Sequence, residues 1–186
     1  MRAIPLSFRV RACLRRLARD RKGVSAIEFA LVLPLMLSLY IGSVEVGDGF
    51  AISFKSTLAA RTVADIASQF ISINNSSMAT ILGAATTVLT PYPTTSAVVT
   101  MSEITTNAQS VGKVVWSDSL NGTARAVGST VTMPTKLQTP NITIIFGEVT
   151  YPYVPSMGYV LTGTINIYES FYFYPRLSTT IARVNS

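Results

Sequence analysis

Arg21-Lys22-Gly23-Val24-Ser25-Ala26-Ile27-Glu28-Phe29-Ala30-Leu31-Val32-Leu33-Pro34-Leu35 places a basic flank, a glycine and the start of an apolar run in one continuous order. From Val24 to Val44 the residues are apolar or small, with Glu28 the exception. About 21 residues at about 1.5 Å each make a helix about 30 Å long, the hydrocarbon thickness of a bilayer. The stretch therefore predicts a transmembrane helix, and everything else in the chain is organised around it.

Charge is divided sharply at Gly23. Arg2, Arg9, Arg11, Arg15, Arg16, Arg19, Arg21 and Lys22 precede it against Asp20 alone, so the leader carries +7 while the whole chain carries +6. The remainder is close to neutral, and the basic character belongs to the leader. A basic run that abuts a membrane span sets topology by staying in the cytoplasm. The orientation read here is N-inside, with the C-terminal body in the periplasm of a bacterial inner membrane and no nucleic-acid partner. A cleaved secretory signal also has a basic flank, but its apolar core is about 7–15 residues and ends in small residues. This run is longer, and Gly42-Ser43-Val44-Glu45 fits that cleavage pattern poorly. Cys13, the single cysteine, lies in the leader, so the body has no disulfide framework.

Gly23 and Glu28 sit five residues apart across the membrane entry. Glycine resists helix formation and lets another backbone come close, so the helix is expected to begin just after Gly23. A carboxylate at the edge of an apolar span is costly, and the positive end of a helix offsets part of that cost. Pro34 removes a helical hydrogen bond and is expected to bend the helix near residues 30–34.

The order Gly23, Glu28, Phe29, Ala30, Leu31, Val32, Leu33, Pro34 resembles the signal of type IV-like prepilins, closest to TadE-like pseudopilins, the minor pilins of tight-adherence (type IVc) pilus systems. The resemblance implies cleavage after Gly23 by a prepilin peptidase, making Val24 the first mature residue and Glu28 the fifth. It implies that Glu28, with Phe29 beside it, sets the axial register by pairing with the freed amine of a neighbouring subunit. The partners it implies are the prepilin peptidase, other pilins or pseudopilins, the tight-adherence assembly machinery and membrane lipid. The alternative from another class is an uncleaved single-pass anchor carrying a periplasmic adaptor or binding domain.

Beyond the membrane, Gly47-Asp48-Gly49 reads as the exit and a swivel. Leu58, Ala59, Val63, Ile66, Ala67 and Phe70 then form one apolar helical face, with Arg61 and Asp65 as an i, i+4 pair. The helix is expected to end between Ile71 and Asn74, before Asn74-Asn75-Ser76-Ser77. A second helical pattern covers residues 78–92. Strand-forming stretches follow: Ala97–Ile104, Lys113–Trp116, the pair Ile142–Phe146 and Val149–Tyr153, and Thr164–Tyr174, with a turn at Asn121-Gly122. In the last of these, Ile165, Ile167, Phe171 and Phe173 alternate with Tyr168, Tyr172 and Tyr174. Phe171 and Phe173 are expected against the helix, and Glu169 falls on their side as an exception.

The fold class expected is α+β. A long transmembrane and amphipathic N-terminal helix precedes a small antiparallel, β-rich, pilin-like domain. The divisions are 1–23 for the leader, 24–46 for the transmembrane helix, 47–73 for its amphipathic continuation and 74–186 for the β-rich domain. Histidine is absent, and no cysteine cluster, phosphate-binding glycine loop or calcium-loop spacing occurs. No cofactor, no metal and no catalytic activity are expected.

Overall fold

The computed structural model describes residues 22–155, 157–158 and 162–184, so all of the basic leader before Lys22 lies outside them. The chain forms two units, Met1–Val44 and Glu45–Ser186. Helix α1 (Lys22–Ser68) supplies the described part of the first unit and the opening element of the second. Its described part already includes Lys22 and Gly23, so the helix does not begin after Gly23 as expected. A glycine lowers helix stability without forbidding helical dihedrals. In the first unit the apolar side chains stand outward: Leu31 is 75 % and Leu39 67 % exposed. Among the described residues α1 is the one helix long and apolar enough to cross a membrane, and it fits a single-pass anchor.

In the second unit α1 turns Ile52, Ala59, Ala60, Val63, Ala64 and Ala67 into the core. The helix runs through Gly47-Asp48-Gly49 without a break, where the sequence suggested a swivel. Tyr153 explains this. Its hydroxyl donates to the Glu45 carbonyl at 2.9 Å, and its ring lies 3.6 Å from where a Gly49 Cβ would stand. The helix also stops earlier than expected, at Ser68. The Ser68 carbonyl accepts from the Arg176 backbone N–H at 2.8 Å, and Ser72–Ile73 leaves as strand β1. Asp65 pairs with Arg176 and not with Arg61, whose guanidinium lies 5.5 Å from the Phe171 ring centroid.

Helix α2 (Asn75–Leu89) begins inside Asn74-Asn75-Ser76-Ser77, three residues ahead of the helical pattern expected over 78–92. Asn74 is its N-cap, its side chain accepting from the Ser77 N–H, which satisfies one of the free donors of the first turn. Met78, Ile81, Leu82, Ala85 and Leu89 form its buried stripe, as the sequence pattern required.

Strands β2 (Val98–Thr106), β3 (Gly112–Leu120), β4 (Thr130–Val131), β5 (Thr143–Tyr153) and β6 (Ile165–Phe173) form an antiparallel sheet in the order β4-β3-β2-β5-β6. The segments Ile142–Phe146 and Val149–Tyr153 are not a pair but one strand, β5, passing straight through Gly147-Glu148. Gly147 serves helix packing instead of a turn. A Cβ there would lie 2.5 Å from the Ala60 carbonyl oxygen and 3.1 Å from the Ala64 Cβ. Glycine facing alanines lets strand and helix backbones approach closely.

The pleat sorts side chains to two faces. Val99, Met101, Ile145, Val149 and Tyr151 share a core with α1 and α2. Ile104, Val131, Met133, Ile144 and Phe146 make a smaller cluster on the other face. Val114 and Trp116, two apart in β3, belong to different clusters because the register with β2 shifts between Glu103 and Ile104. In β6 the expected alternation holds, with Ile167, Phe171 and Phe173 packed on the helix-side core. Glu169 on that face accepts from the Ser53 hydroxyl at 2.6 Å, which accommodates the acid the pattern marked as exceptional.

The last described residues fold back as β7 (Ala182–Arg183), pairing in parallel with β1. Ile181 is buried, and its carbonyl accepts from the Trp116 indole N–H at 2.8 Å. Trp116 also donates to Glu103 at 2.5 Å, and the Ile181 N–H reaches the same carboxylate at 3.2 Å. Burial raises the Glu103 carboxyl above its ordinary range, against the opposing pull of these donors. Arg183 binds Asp118 at 2.9 Å and Asn75 at 2.7 Å.

Candidate functional site

Gly23, Val24, Glu28, Phe29 and Pro34 all lie on the first part of α1. Val24, Glu28, Leu31 and Leu35 follow one another at spacings of four, three and four, so they share a helix face. Every one of them is exposed, and so is Phe29. A Cβ added at Gly23 would meet nothing within 4 Å. The packing of the chain therefore does not require glycine there. Its backbone freedom and small size remain as what distinguishes the position. Pro34 is held inside the helix, and the Ser38 hydroxyl donates to its carbonyl at 2.8 Å. The structure thus gathers the residues singled out by sequence onto one bare, apolar helical segment, with an acid one turn beyond Val24.

A second polar arrangement, on the sheet face away from α1, was not anticipated. Arg125 donates through Nε to Glu148 Oε2 at 2.7 Å and through Nη2 to Oε1 at 2.5 Å. The Tyr168 hydroxyl donates to Oε1 at 2.7 Å. Glu148 is buried, so the bidentate geometry matters more than it would on an open surface. Its signal in the sequence is an acid between two β-forming stretches, Ile142–Phe146 and Val149–Tyr153, which the structure joins into one strand.

Burial, then the hydrogen bond to Glu148 and its charge, push the Tyr168 hydroxyl up to about 12. The folded state thus favours the neutral phenol. Its stabilisation is complete below the ordinary tyrosine value and is lost as pH rises through about 12. The expected result is that the wild-type chain loses denaturant resistance between about pH 9 and about pH 11.5 more steeply than Tyr168→Phe. Chemical denaturation followed by circular dichroism measures this, and parallel pH profiles would remove Tyr168 as the source.

No curated protein and no solved structure matches the chain. The family model described as TadE-like protein matches residues 23–65, beginning at Gly23 and ending three residues short of the end of α1. Through that segment the chain is recognised as TadE-like, in agreement with a TadE-like protein of the tight-adherence pilus system.

Proposed function

We propose that the chain is a minor pilin precursor of a tight-adherence pilus, an assembly component and not a catalyst. The leader stays in the cytoplasm, α1 anchors the chain in the inner membrane, and the sheet domain lies in the periplasm. A prepilin peptidase cuts after Gly23, and the product enters assembly with other pilins or pseudopilins and the tight-adherence machinery. The observation that carries this reading is the TadE-like match itself, which starts at Gly23 and contains Glu28.

Each residue has a task in this reading. A peptidase needs an extended bond, whereas Gly23 lies within α1. Unwinding the helix there is easier at glycine by about 0.5–1 kcal/mol relative to alanine. Cleavage frees an α-amine on Val24 beside a bilayer. The Glu28 carboxylate of an adjacent subunit supplies the opposite charge, and the pair fixes the axial stagger of neighbouring helices. The exposed faces of Leu31, Leu35 and Leu39 serve both lipid and helix–helix packing, so transfer from bilayer to filament leaves their burial nearly unchanged.

N-terminal sequencing of the membrane-extracted protein tests the reading. The mature chain is expected to begin at Val24, and Gly23→Ala is expected to accumulate as full-length precursor that still inserts. A native chain that keeps its leader would establish the uncleaved anchor instead. A mature terminus at another residue would overturn the assignment of Gly23.

A further inference from the structure

We propose that the face of the sheet turned away from α1 carries a binding site for a neutral carbohydrate, one hexose-sized ring held in a groove between β4, the segment after it, and β6. The groove encloses about 580 Å³ and is lined by Arg125, Thr130, Thr132, Tyr168, Ser170 and Tyr172, above Val131, Met133 and Phe146. That volume falls within the range of small-molecule sites.

Three features define the ligand chemistry. The first is an aromatic platform. Tyr172 stacks on Phe146 with ring centroids 4.5 Å apart and planes within 8°, which immobilises a ring that also lines the groove. Tyr168, 53 % exposed, stands four residues before it on the same strand face. The apolar C–H face of a pyranose packs on such rings, gaining contact area without ordering a flexible side chain.

The second feature is the supply of hydroxyls. Thr130 and Thr132 both donate and accept, and Tyr168, whose proton goes to Glu148, still accepts, matching the mixed donor and acceptor character of sugar hydroxyls. The third is the state of the charges. Glu148 takes the Nε and Nη2 edge of Arg125, and its oxygens are engaged by Arg125 and Tyr168. Among the described residues Nη1 of Arg125 has no protein acceptor, and the side chain is 37 % exposed. Arg125 therefore offers fixed donors while its charge is already neutralised by Glu148. An anion would meet no net attraction, whereas a neutral hydroxyl oxygen meets a positioned N–H.

A peptide fits less well. Val131, Met133 and Phe146 are buried in their own cluster, which leaves Pro134 as the exposed aliphatic residue of the lining. A single proline ring makes no deep apolar socket for an anchoring side chain. The site lies within the sheet domain, and its occupation does not depend on cleavage at Gly23.

The test uses the full chain in a detergent without a sugar headgroup, titrated with maltose, cellobiose, lactose and chitobiose, with digalacturonate and an acidic hexapeptide as charged comparators. Saturation-transfer NMR and calorimetry read the binding. At least one neutral disaccharide is expected to bind with millimolar or tighter affinity, the transfer falling on ring C–H protons. Tyr172→Ala is expected to weaken it about tenfold or more. Because that change also opens the contact with Phe146, Thr132→Val provides the second variant. It is nearly isosteric at an exposed position, and is expected to weaken binding about threefold to tenfold with an unchanged melting temperature. Absence of binding by every neutral disaccharide at about tenfold above millimolar concentration, binding that both variants leave intact, or binding confined to digalacturonate or the peptide would each overturn the proposal.

Discussion

Gly147→Ala is expected to destabilise the sheet domain by about 3 kcal/mol, and Gly147→Val by more. The added Cβ would stand 2.5 Å from the Ala60 carbonyl oxygen, a backbone atom that cannot swing aside, and 3.1 Å from the Ala64 Cβ. Relief requires α1 to lift from β5, which opens the core around Val63, Ile145 and Val149. For a domain of this size, about 3 kcal/mol corresponds to a fall in melting temperature of about 6–12 °C. Thermal unfolding of the detergent-solubilised chain, followed by near-ultraviolet circular dichroism, measures it. Gly83→Ala is the control, because a Cβ there meets nothing within 4 Å. In the interior of α2 it is expected to be neutral or stabilising by up to about 1 kcal/mol. If the two variants melt alike, close approach is not why residue 147 is glycine.

Glu28→Gln is expected to leave processing intact while reducing surface pili about tenfold or more, because in the proposed role assembly, and not cleavage, uses the carboxylate. The amide retains size and hydrogen-bonding capacity but carries no charge to neutralise the amine of a neighbour. That amine, left unpaired in a low-dielectric bundle, makes each subunit addition unfavourable. Membrane insertion is expected to be unchanged or easier, since a costly charge leaves the span. Glu28→Asp should fall between, retaining charge on a shorter arm. Immunoblots for mature-length protein and microscopy of surface filaments separate the two steps. Normal piliation by the Gln variant would reduce Glu28 to an acid tolerated at the membrane edge.

Local pattern carried much of the architecture. The apolar stripe of α2, the alternation of β6 and the membrane-length run after Gly23 depend on residue spacing alone, and each was readable before any contact was known. The misreadings share one cause. Gly147 resembles a turn locally, and only the arrival of Ala60 and Ala64 from 80 or so residues earlier makes it a packing glycine. The swivel expected at Gly47-Asp48-Gly49 is suppressed by Tyr153, 108 residues beyond Glu45. The end of α1 was misplaced because Arg176 supplies the donor that closes it. The network of Arg125, Glu148 and Tyr168 draws on three separate stretches and has no local signature. The proposed processing residues were legible for the opposite reason. They make few contacts within the chain, and what selects them lies in a linear motif.

The pairing of β1 with β7 has a consequence for the order of events when the chain is made. Ile73 and Arg183 meet across 110 residues of sequence, and Ile181 fills its place between Glu103 and Trp116 beside that junction. A nascent chain that has not yet reached residues 181–183 can assemble α2 and the inner strands, yet it leaves β1 without the β7 partner and Glu103 without the Ile181 N–H. The native packing around β1 and Glu103 is therefore closed late in synthesis, by residues made more than a hundred positions after β1.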